Sequence, residues 1–255
     1  MDLPGGVMTG LAPTPLGGAG FGLRYLGPSG EVRSEALGLG WRTRFEAVSP
    51  VRRFPSYRGQ RNFPGSWWSA TLGELVGFES WVERDQLMLL DFDRSVVGFA
   101  SQPFWLTWWD RGRERRHAPD FFARLVDGTG VVIDVRPDER IDEDDALVFA
   151  LTQDACDAVG WEYRREGVLD PVLAANLRWL AGYRHPRCLN SEWSGRVLGR
   201  FADPSPLLAG VREVGDPIAV LPTLFHLLWL GILSADLATA PLSGTSMVVA
   251  QEAAG

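Results

Sequence analysis

The chain has 255 residues, of which 45% are apolar, and its net charge at pH 7 is −7. This length and composition indicate one large domain or two small ones and exclude a wholly disordered chain. Two cysteines are too few for a disulfide framework or a thiolate zinc site, and all 25 basic residues are arginine, which excludes chemistry that needs a lysine amine. The most apolar stretch, residues 217–233, is interrupted by Pro222 and is shorter than the roughly 20 residues of a membrane span. We expect no membrane partner.

Charge and glycine content divide the chain into three predicted segments. Residues 1–40 are rich in glycine and proline, which predicts a flexible or extended N-terminal arm. We predict an α/β domain at residues 41–166 and a smaller, mostly helical, winged-helix-like domain at residues 167–255. Residues 1–136 hold 16 arginines against 15 acidic residues, whereas residues 137–255 hold 9 against 17. The acidic balance of the last segment favours a protein partner there.

The predicted elements alternate between strand and helix. In chain order they are a strand at 72–78, a helix at 79–90, a strand at 96–108 interrupted at Pro103, a hairpin of strands 117–126 and 131–136, a helix at 143–160 and a strand at 161–165. This order predicts a mixed sheet flanked by helices. The last segment follows with helices at 170–180, 204–211 and 217–230 and a hairpin of 232–238 and 244–250. Three helices and a hairpin predict the winged-helix-like unit.

The central hairpin is informative because its hydrophobic alternation predicts which residues share a face. The apolar face takes Phe121, Ala123 and Leu125 from one strand and Val131, Ile133 and Val135 from the other. For the two apolar sets to lie on the same face of the hairpin, the two residue numbers of each cross-strand pair must have an even sum. Such pairing requires a loop with an odd number of residues, such as residues 127–129, with a glycine in the left-handed conformation. We therefore expect Asp120 opposite Arg136 and Phe122 opposite Asp134, which gathers two carboxylates and a guanidinium on the polar face.

Two carboxylates that converge at the end of a hairpin form the kind of oxygen-ligand site that Mg²⁺ or Mn²⁺ prefers. A third would come from helix 79–90, where Glu79 and Glu83 are four residues apart and therefore share a helix face. Such a site stabilises charge during phosphodiester hydrolysis. The alternative is structural, because exposed acidic residues are common in strands. In that case Asp134 and Arg136 would form a surface ion pair.

Arginine and aromatic residues are interleaved ahead of the first predicted strand. Residues 42–61 hold six arginines and one acidic residue. This combination is typical of a surface that contacts phosphates and stacks on bases, and the alternative is a solvated loop. The residues expected to contact DNA are Arg52, Arg53, Arg58, Arg61 and, three residues before Asp120, His117. A second arginine cluster comprises Arg111, Arg113, Arg115 and Arg116.

At the hairpin the sequence resembles a known signature. Pro119-Asp120 and, after a gap, Asp134-Val135-Arg136 look like the PD-(D/E)xK motif of restriction-endonuclease-like nucleases. The surrounding segments follow in an order similar to TnsA, the endonuclease subunit of heteromeric transposases, particularly its actinobacterial type. These segments are Ser80-Trp81-Val82-Glu83, Leu89-Leu90-Asp91-Phe92-Asp93, residues 96–99, Ser101-Gln102-Pro103-Phe104, Ala118-Pro119-Asp120-Phe121 and residues 132–137. The resemblance covers residues 50–140 and, less specifically, residues 227–242.

The resemblance implies a restriction-endonuclease-like fold and a DNA endonuclease that depends on Mg²⁺ or Mn²⁺. It assigns the metal ligands to Glu83, with Glu79 as a fallback, to Asp120, to Asp134 and to the Val135 carbonyl. Arg136 stands where the family has its lysine, and the departure matters. Arginine keeps the positive charge that stabilises a transition state, but it is permanently protonated and cannot accept a proton.

By the same resemblance, the chain would cleave the 5′, non-transferred strands at transposon ends during cut-and-paste transposition. A separate DDE-type transposase would cut and join the 3′ ends, and residues 167–255 would dock that transposase or an ATP-dependent regulator. The N-terminus lacks the features of a signal peptide, so we expect a cytoplasmic, nucleoid-associated protein. Two alternatives stay open: a catalytically degenerate scaffold that bridges transposase and regulator, and a stand-alone nuclease of repair or restriction.

Overall fold

The computed structural model describes residues 20–52, 54 and 63–251. Within these ranges the strands are β1 (Gly22–Leu26), β2 (Val32–Ala36), β3 (Gly65–Trp68), β4 (Leu75–Phe78), β5 (Val96–Ser101), β6 (Trp105–Asp110), β7 (Arg113–His117), β8 (Phe121–Leu125), β9 (Gly130–Val135), β10 (Glu162–Glu166), β11 (Ser205–Pro206), β12 (Leu233–Ala235) and β13 (Met247–Ala250). The helices are α1 (Leu37–Gly40), α2 (Trp81–Phe92), α3 (Glu143–Asp157), α4 (Pro171–Ala181), α5 (Ser191–Arg200), α6 (Leu207–Val214) and α7 (Pro217–Trp229). Short 3-10 turns lie at Phe45–Ala47, Asp138–Arg140 and Pro186–Cys188.

A four-stranded sheet in the order β10-β9-β8-β5 forms the centre of the α/β part. β5, β8 and β9 are antiparallel neighbours, and β10 runs parallel to β9 after the α3 crossover. One face packs on α2, where Phe121 shares a core with Leu87. The other face packs on α3, where Phe122 shares a core with Cys156. Both faces of these strands are therefore apolar. The mixed α/β architecture predicted from the sequence is confirmed.

The register of β8 and β9 differs from the prediction by two residues. Phe122 pairs with Val132 and not with Asp134. Continued by one position, the same register sets Asp120 level with Asp134, so the predicted pairing of Asp120 with Arg136 is wrong. The predicted polar face is also covered, because Val132 and Asp134 are buried beneath α3 and its neighbours.

The turn of this hairpin explains the shift. The facing numbers have the predicted even sum, and the loop is odd as predicted. However, the Leu125 amide donates to the Thr129 carbonyl, and this closes the turn one residue earlier than the loop expected at 127–129. Gly128 has a φ of 91° and is the left-handed glycine that the turn requires. Moving the turn centre by one residue moves the register by two.

A second sheet has the order β2-β1-β6-β7, and its strands β1 and β2 come from the segment predicted as an arm. β1 and β2 form an antiparallel hairpin, and β1 also pairs with β6. Leu23 and Tyr25 of β1 are buried in the core beneath α3. From Gly22 onward the segment predicted as a flexible or extended arm therefore forms an extended hairpin that is folded into the second sheet, and residues 1–19 lie outside the described residues.

The strand predicted at 96–108 is two strands in two different sheets. β5 ends at Ser101 and β6 begins at Trp105. Between them Gln102 has a φ of 46°, which redirects the backbone at the predicted interruption beside Pro103. β7 was not predicted, because its residues are arginine, glutamate and histidine and carry no apolar alternation.

The C-terminal unit contains α4 to α7 and a small sheet in the order β11-β13-β12. The predicted helices and terminal hairpin are present, and Asp170 caps α4 because its Oδ1 accepts from the Val172 amide. α5 and β11 were missed. Gly195 and Gly199 lower the helix propensity of α5, while Asn190 caps its first turn. Across the described ranges, every helix is too short or too polar to traverse a bilayer.

Helix α2 connects the two parts because opposite sides of it enter two cores. Leu87 and Leu90 pack beneath the central sheet. Met88 is buried among the apolar residues of α4, α5, α6 and α7, and Leu89 and Phe92 pack against the same group. The helix that carries Glu83 is therefore held from both sides.

If α2 is shared in this way, the two parts should unfold together. Leu87→Ala and Met88→Ala should each lower the free energy of unfolding by about 2–5 kcal/mol, because each leaves a cavity in one core. Urea denaturation followed by tryptophan fluorescence and by far-UV circular dichroism measures both variants. The exposed Leu147→Ala on α3 is the control and should change stability by less than about 0.5 kcal/mol. Two separate transitions, each sensitive to one variant, would contradict the shared helix.

Candidate active site

A cleft of about 440 Å³ lies where β8 begins and β9 ends. It is lined by Arg52, Glu79, Glu83, Trp105, Arg116, His117, Ala118, Asp120, Asp134, Val135, Arg136, Asp145, Val148 and Phe149. The candidate metal ligands and Arg136 therefore border one space, although they come from the start of α2, the residue before β8 and the end of β9. Of the residues expected to contact DNA, Arg52 and His117 line the cleft, whereas Arg53, Arg58 and Arg61 lie outside the described residues.

Asp120 lies at the centre of this group. Its Oδ2 accepts a hydrogen bond of 2.7 Å from the Val135 amide, and its carbonyl accepts from the Gln102 amide. Burial raises the pKa of Asp120 well above its ordinary value, and the charges of Glu83 and Asp134 raise it further. Its Oδ1 accepts no hydrogen bond from the described residues. One oxygen of the most strongly perturbed carboxylate is thus available to a ligand.

Glu83 belongs to the first turn of α2 and is 8% exposed. Its Oε1 accepts from the Ser80 hydroxyl, its Oε2 accepts from the Glu79 amide, and its own amide donates to Ser80 Oγ. This is a reciprocal N-terminal cap of the Ser-x-x-Glu type. Burial is the main reason that the pKa of Glu83 is raised. The cap fixes where the carboxylate enters the cleft.

The position of Glu79 differs from the prediction that it shares a helix face with Glu83. It precedes the Ser80 cap, so it does not share a helix face with Glu83. Its carboxylate instead accepts two hydrogen bonds of 2.8 Å from the Arg52 guanidinium. This bidentate pair ties the chain ahead of β3 to the start of α2.

Asp134 is 2% exposed and has both oxygens engaged. Oδ1 lies 2.8 Å from His117 Nε2, and Oδ2 accepts a 2.8 Å hydrogen bond from the Tyr163 hydroxyl. Burial first, and then the charge of Asp134, raises the pKa of Tyr163 far above its ordinary value, so the phenol remains a donor. The described contact of the His117 ring is thus with Asp134, and its contact with DNA stays a prediction. Tyr163 was missed because only the parallel pairing of β10 with β9 brings it here.

Arg136 reaches the cleft but pairs with α3. Its Nη2 donates to Asp145 Oδ1 at 2.8 Å, and this hydrogen bond is the main reason that its pKa is raised. The surface ion pair with Asp134, considered as the structural alternative, is wrong. Arg116, which the sequence indicated only as part of a charged cluster, also lines the cleft and has its guanidinium carbon 4.3 Å from the centre of the Trp105 ring.

The donor chemistry of the cleft suits a hard divalent cation. Among the described residues, no three His, Cys, Asp or Glu side chains converge closely enough to hold a metal ion by themselves. Mg²⁺ sites, however, commonly use one or two carboxylates and complete the shell with water and substrate phosphate. Asp120, with a free oxygen and two carboxylates that raise its pKa, fits that pattern.

Comparison with known proteins finds no protein-family model that matches the sequence, and no curated protein matches it significantly.

Asp120 should oppose folding when it is ionised, because the folded state raises its pKa. Without metal, the wild-type protein should lose stability as pH rises above the ordinary carboxyl range of about 4. Asp120→Asn keeps an oxygen for the Val135 amide and carries no charge. Its Tm should exceed that of the wild type by several degrees near neutral pH, given about 2–4 °C for each kcal/mol.

Thermal unfolding in EDTA, followed by circular dichroism from acidic to neutral pH, measures this excess. The exposed Asp203→Asn is the matched control and should produce no difference that grows with pH. A Tm excess for Asp120→Asn that is constant or that shrinks with rising pH would contradict the argument.

Removing the Tyr163 hydroxyl should leave one oxygen of a buried carboxylate without its donor. We expect Tyr163→Phe to lower the free energy of unfolding by about 1–3 kcal/mol at neutral pH. Tyr183→Phe is a matched control, because the Tyr183 ring is also partly buried and its hydroxyl makes no hydrogen bond with the described residues. Equal losses in urea denaturation for the two variants would rule out a special role for the Tyr163 hydroxyl.

Proposed function

We propose that the chain is a metal-dependent DNA endonuclease with a restriction-endonuclease-like fold, and that it cleaves the 5′ strands at transposon ends as a subunit of a heteromeric transposase. The observation that carries the proposal is the single cleft bordered by Glu83, Asp120, Asp134 and Arg136. A mixed sheet with a helix on each face fits the fold implied by the resemblance to TnsA. Four helices with a β-hairpin and a further strand fit a winged-helix-like unit that docks the transposase or its regulator.

The charged and polar residues at the centre of the cleft have distinct roles in the proposed hydrolysis. Asp120 offers a free oxygen, and Glu83, Asp134 and the Val135 carbonyl are the further candidates to hold Mg²⁺ or Mn²⁺. A bound divalent cation would supply Lewis-acid stabilisation of charge on the scissile phosphate. His117 and Tyr163 hold both oxygens of Asp134 and so restrict its rotation. The Ser80 cap does the same for Glu83.

Arg136 contributes charge and not proton transfer. Its guanidinium remains protonated at any physiological pH, so it does not act as a general base. It is oriented by Asp145 at the edge of the cleft, where a developing negative charge on phosphate would be stabilised.

Metal binding tests the site without a partner protein. Titration calorimetry with MnCl₂ should give saturable heat with the wild type and none with Asp120→Ala, whereas Asp203→Ala should bind as the wild type does. Nicking of supercoiled DNA in Mn²⁺ or Mg²⁺, alone and with a candidate DDE transposase, should fall at least about 100-fold in Asp120→Ala. Equal heats in Asp120→Ala and the wild type, together with unchanged nicking, would overturn the proposed site.

One observation favours the scaffold alternative. The Arg136 guanidinium is bound to Asp145 and replaces the lysine of the signature, so a weakened or lost activity would originate there. Arg136→Lys discriminates in the same nicking assay. A large gain over wild type identifies a weakened enzyme, and no cleavage by either protein supports the scaffold. Site-specific cleavage without any transposase would instead support a stand-alone nuclease.

A further inference from the structure

The exposed edge of the second sheet carries arginines that the proposed catalytic role does not use. β7 is the terminal strand in the order β2-β1-β6-β7, so one side of it has no neighbouring strand among the described residues. Arg113, Arg115 and Arg116 are all exposed on it. The strand ends at His117, inside the cleft. Arg113 and Arg115 lie on one face of the strand and Arg116 lies on the other, so positive charge flanks the free edge of β7 on both faces as the strand leaves the candidate active site.

Arg116 is distinct from the other arginines of the cleft. Arg52 is bound to Glu79, and Arg136 is bound to Asp145. Within the described part of the chain, Arg116 makes no salt bridge, and its guanidinium instead lies over the Trp105 ring. Stacking on an aromatic ring orients a guanidinium and leaves its N–H groups free to donate.

The remaining charges of the strand are only loosely compensated. Arg115 Nε lies 3.7 Å from Asp110 Oδ2, and Glu114 lies 3.7 Å from Arg24. No salt bridge involves Arg113 among the described residues. Long contacts at an exposed surface contribute little energy, so they compete weakly with a phosphate. The strand thus presents a net positive charge to solvent.

We propose that β7 binds backbone phosphates of the DNA duplex beside the scissile bond, with Arg116 nearest the cleft and Arg113 farther along the strand. This inference rests on the proposed nuclease function. A chain of net charge −7 needs a localised positive surface to approach DNA. The α3 side of the cleft is less suited to DNA, because Asp145 lines the cleft and shares the first turn of α3 with Glu143 and Asp144, and these carboxylates repel a phosphate backbone.

The assignment to DNA also follows from donor geometry. A planar guanidinium donates two parallel hydrogen bonds to a phosphate, and the edge strand presents this donor on both of its faces. These arginines would position the duplex without reading its sequence. Binding along β7 should therefore be independent of base sequence and strongly dependent on salt.

Fluorescence anisotropy of a labelled, mixed-sequence DNA duplex in EDTA measures this binding in the absence of cleavage. Arg113→Ala/Arg116→Ala should reduce the slope of log affinity against log salt by about 0.9 for each phosphate that the protein no longer neutralises. At low salt its affinity should fall at least about tenfold. Arg187→Ala/Arg212→Ala removes the same charge from exposed positions of the C-terminal unit and should leave the slope unchanged.

Two further measurements distinguish a loss of phosphate contacts from a loss of folding. Arg116→Lys keeps the charge and should retain the slope, and thermal unfolding should give all variants a Tm close to the wild-type value. Equal effects of the two double variants, or a wild-type protein that binds a polyglutamate peptide and not the duplex, would overturn the inference. Binding is measured without metal, so the two proposals can fail separately. If the Arg113→Ala/Arg116→Ala variant keeps the wild-type salt slope while cleavage still depends on Asp120, the β7 surface is rejected and the nuclease proposal is not. A reduced slope in a protein that never cleaves would reject only the nuclease.

Discussion

The placement of two aspartates side by side, a half-buried Asp120 and a buried Asp134, is the constraint on which the site depends. The negative charge of Asp134 raises the pKa of Asp120, and two such carboxylates in a poorly solvated place are tolerated only where donors or a cation compensate them. The protein supplies donors from three directions, namely the Val135 amide, the His117 ring and the Tyr163 hydroxyl. These donors leave one oxygen of Asp120 without a partner among the described residues. The fold thus concentrates negative charge at one point and does not neutralise it fully, which is the arrangement that a cation site requires.

The surrounding elements position these carboxylates in separate ways. α2 is packed from two sides, by the central sheet and by the C-terminal helices, so the first turn that carries Glu83 has little freedom to move. β6 and β7, inserted between β5 and β8 along the chain, bring Trp105, Arg116 and His117 to the cleft. The second sheet therefore contributes both a partner for Asp134 and the positive edge on which a nucleic acid would lie.

Much of the site was predictable because its signals are local. Asp120 precedes an apolar strand, Asp134 ends another, and Ser80 with Glu83 has the spacing of a helix cap. Alternation within the hairpin determined that facing numbers sum to an even value, and the structure agrees. Alternation has a period of two, so it cannot distinguish registers that differ by two residues. The turn decides between them, and Asp120 consequently lies beside Asp134 and not opposite Arg136.

The sequence by itself determined the kinds of side chain present, the α/β alternation and the hairpin that delivers two carboxylates to one end of a sheet. Tertiary structure decided which groups those carboxylates meet. Tyr163 reaches Asp134 only because β10 lies parallel to β9 after the α3 crossover, and Asp145 reaches Arg136 only because α3 packs on the same sheet. Such contacts join residues with no periodic relation in the chain. They depend on how elements pack, because a buried charge takes the nearest donor in space and not the nearest in sequence.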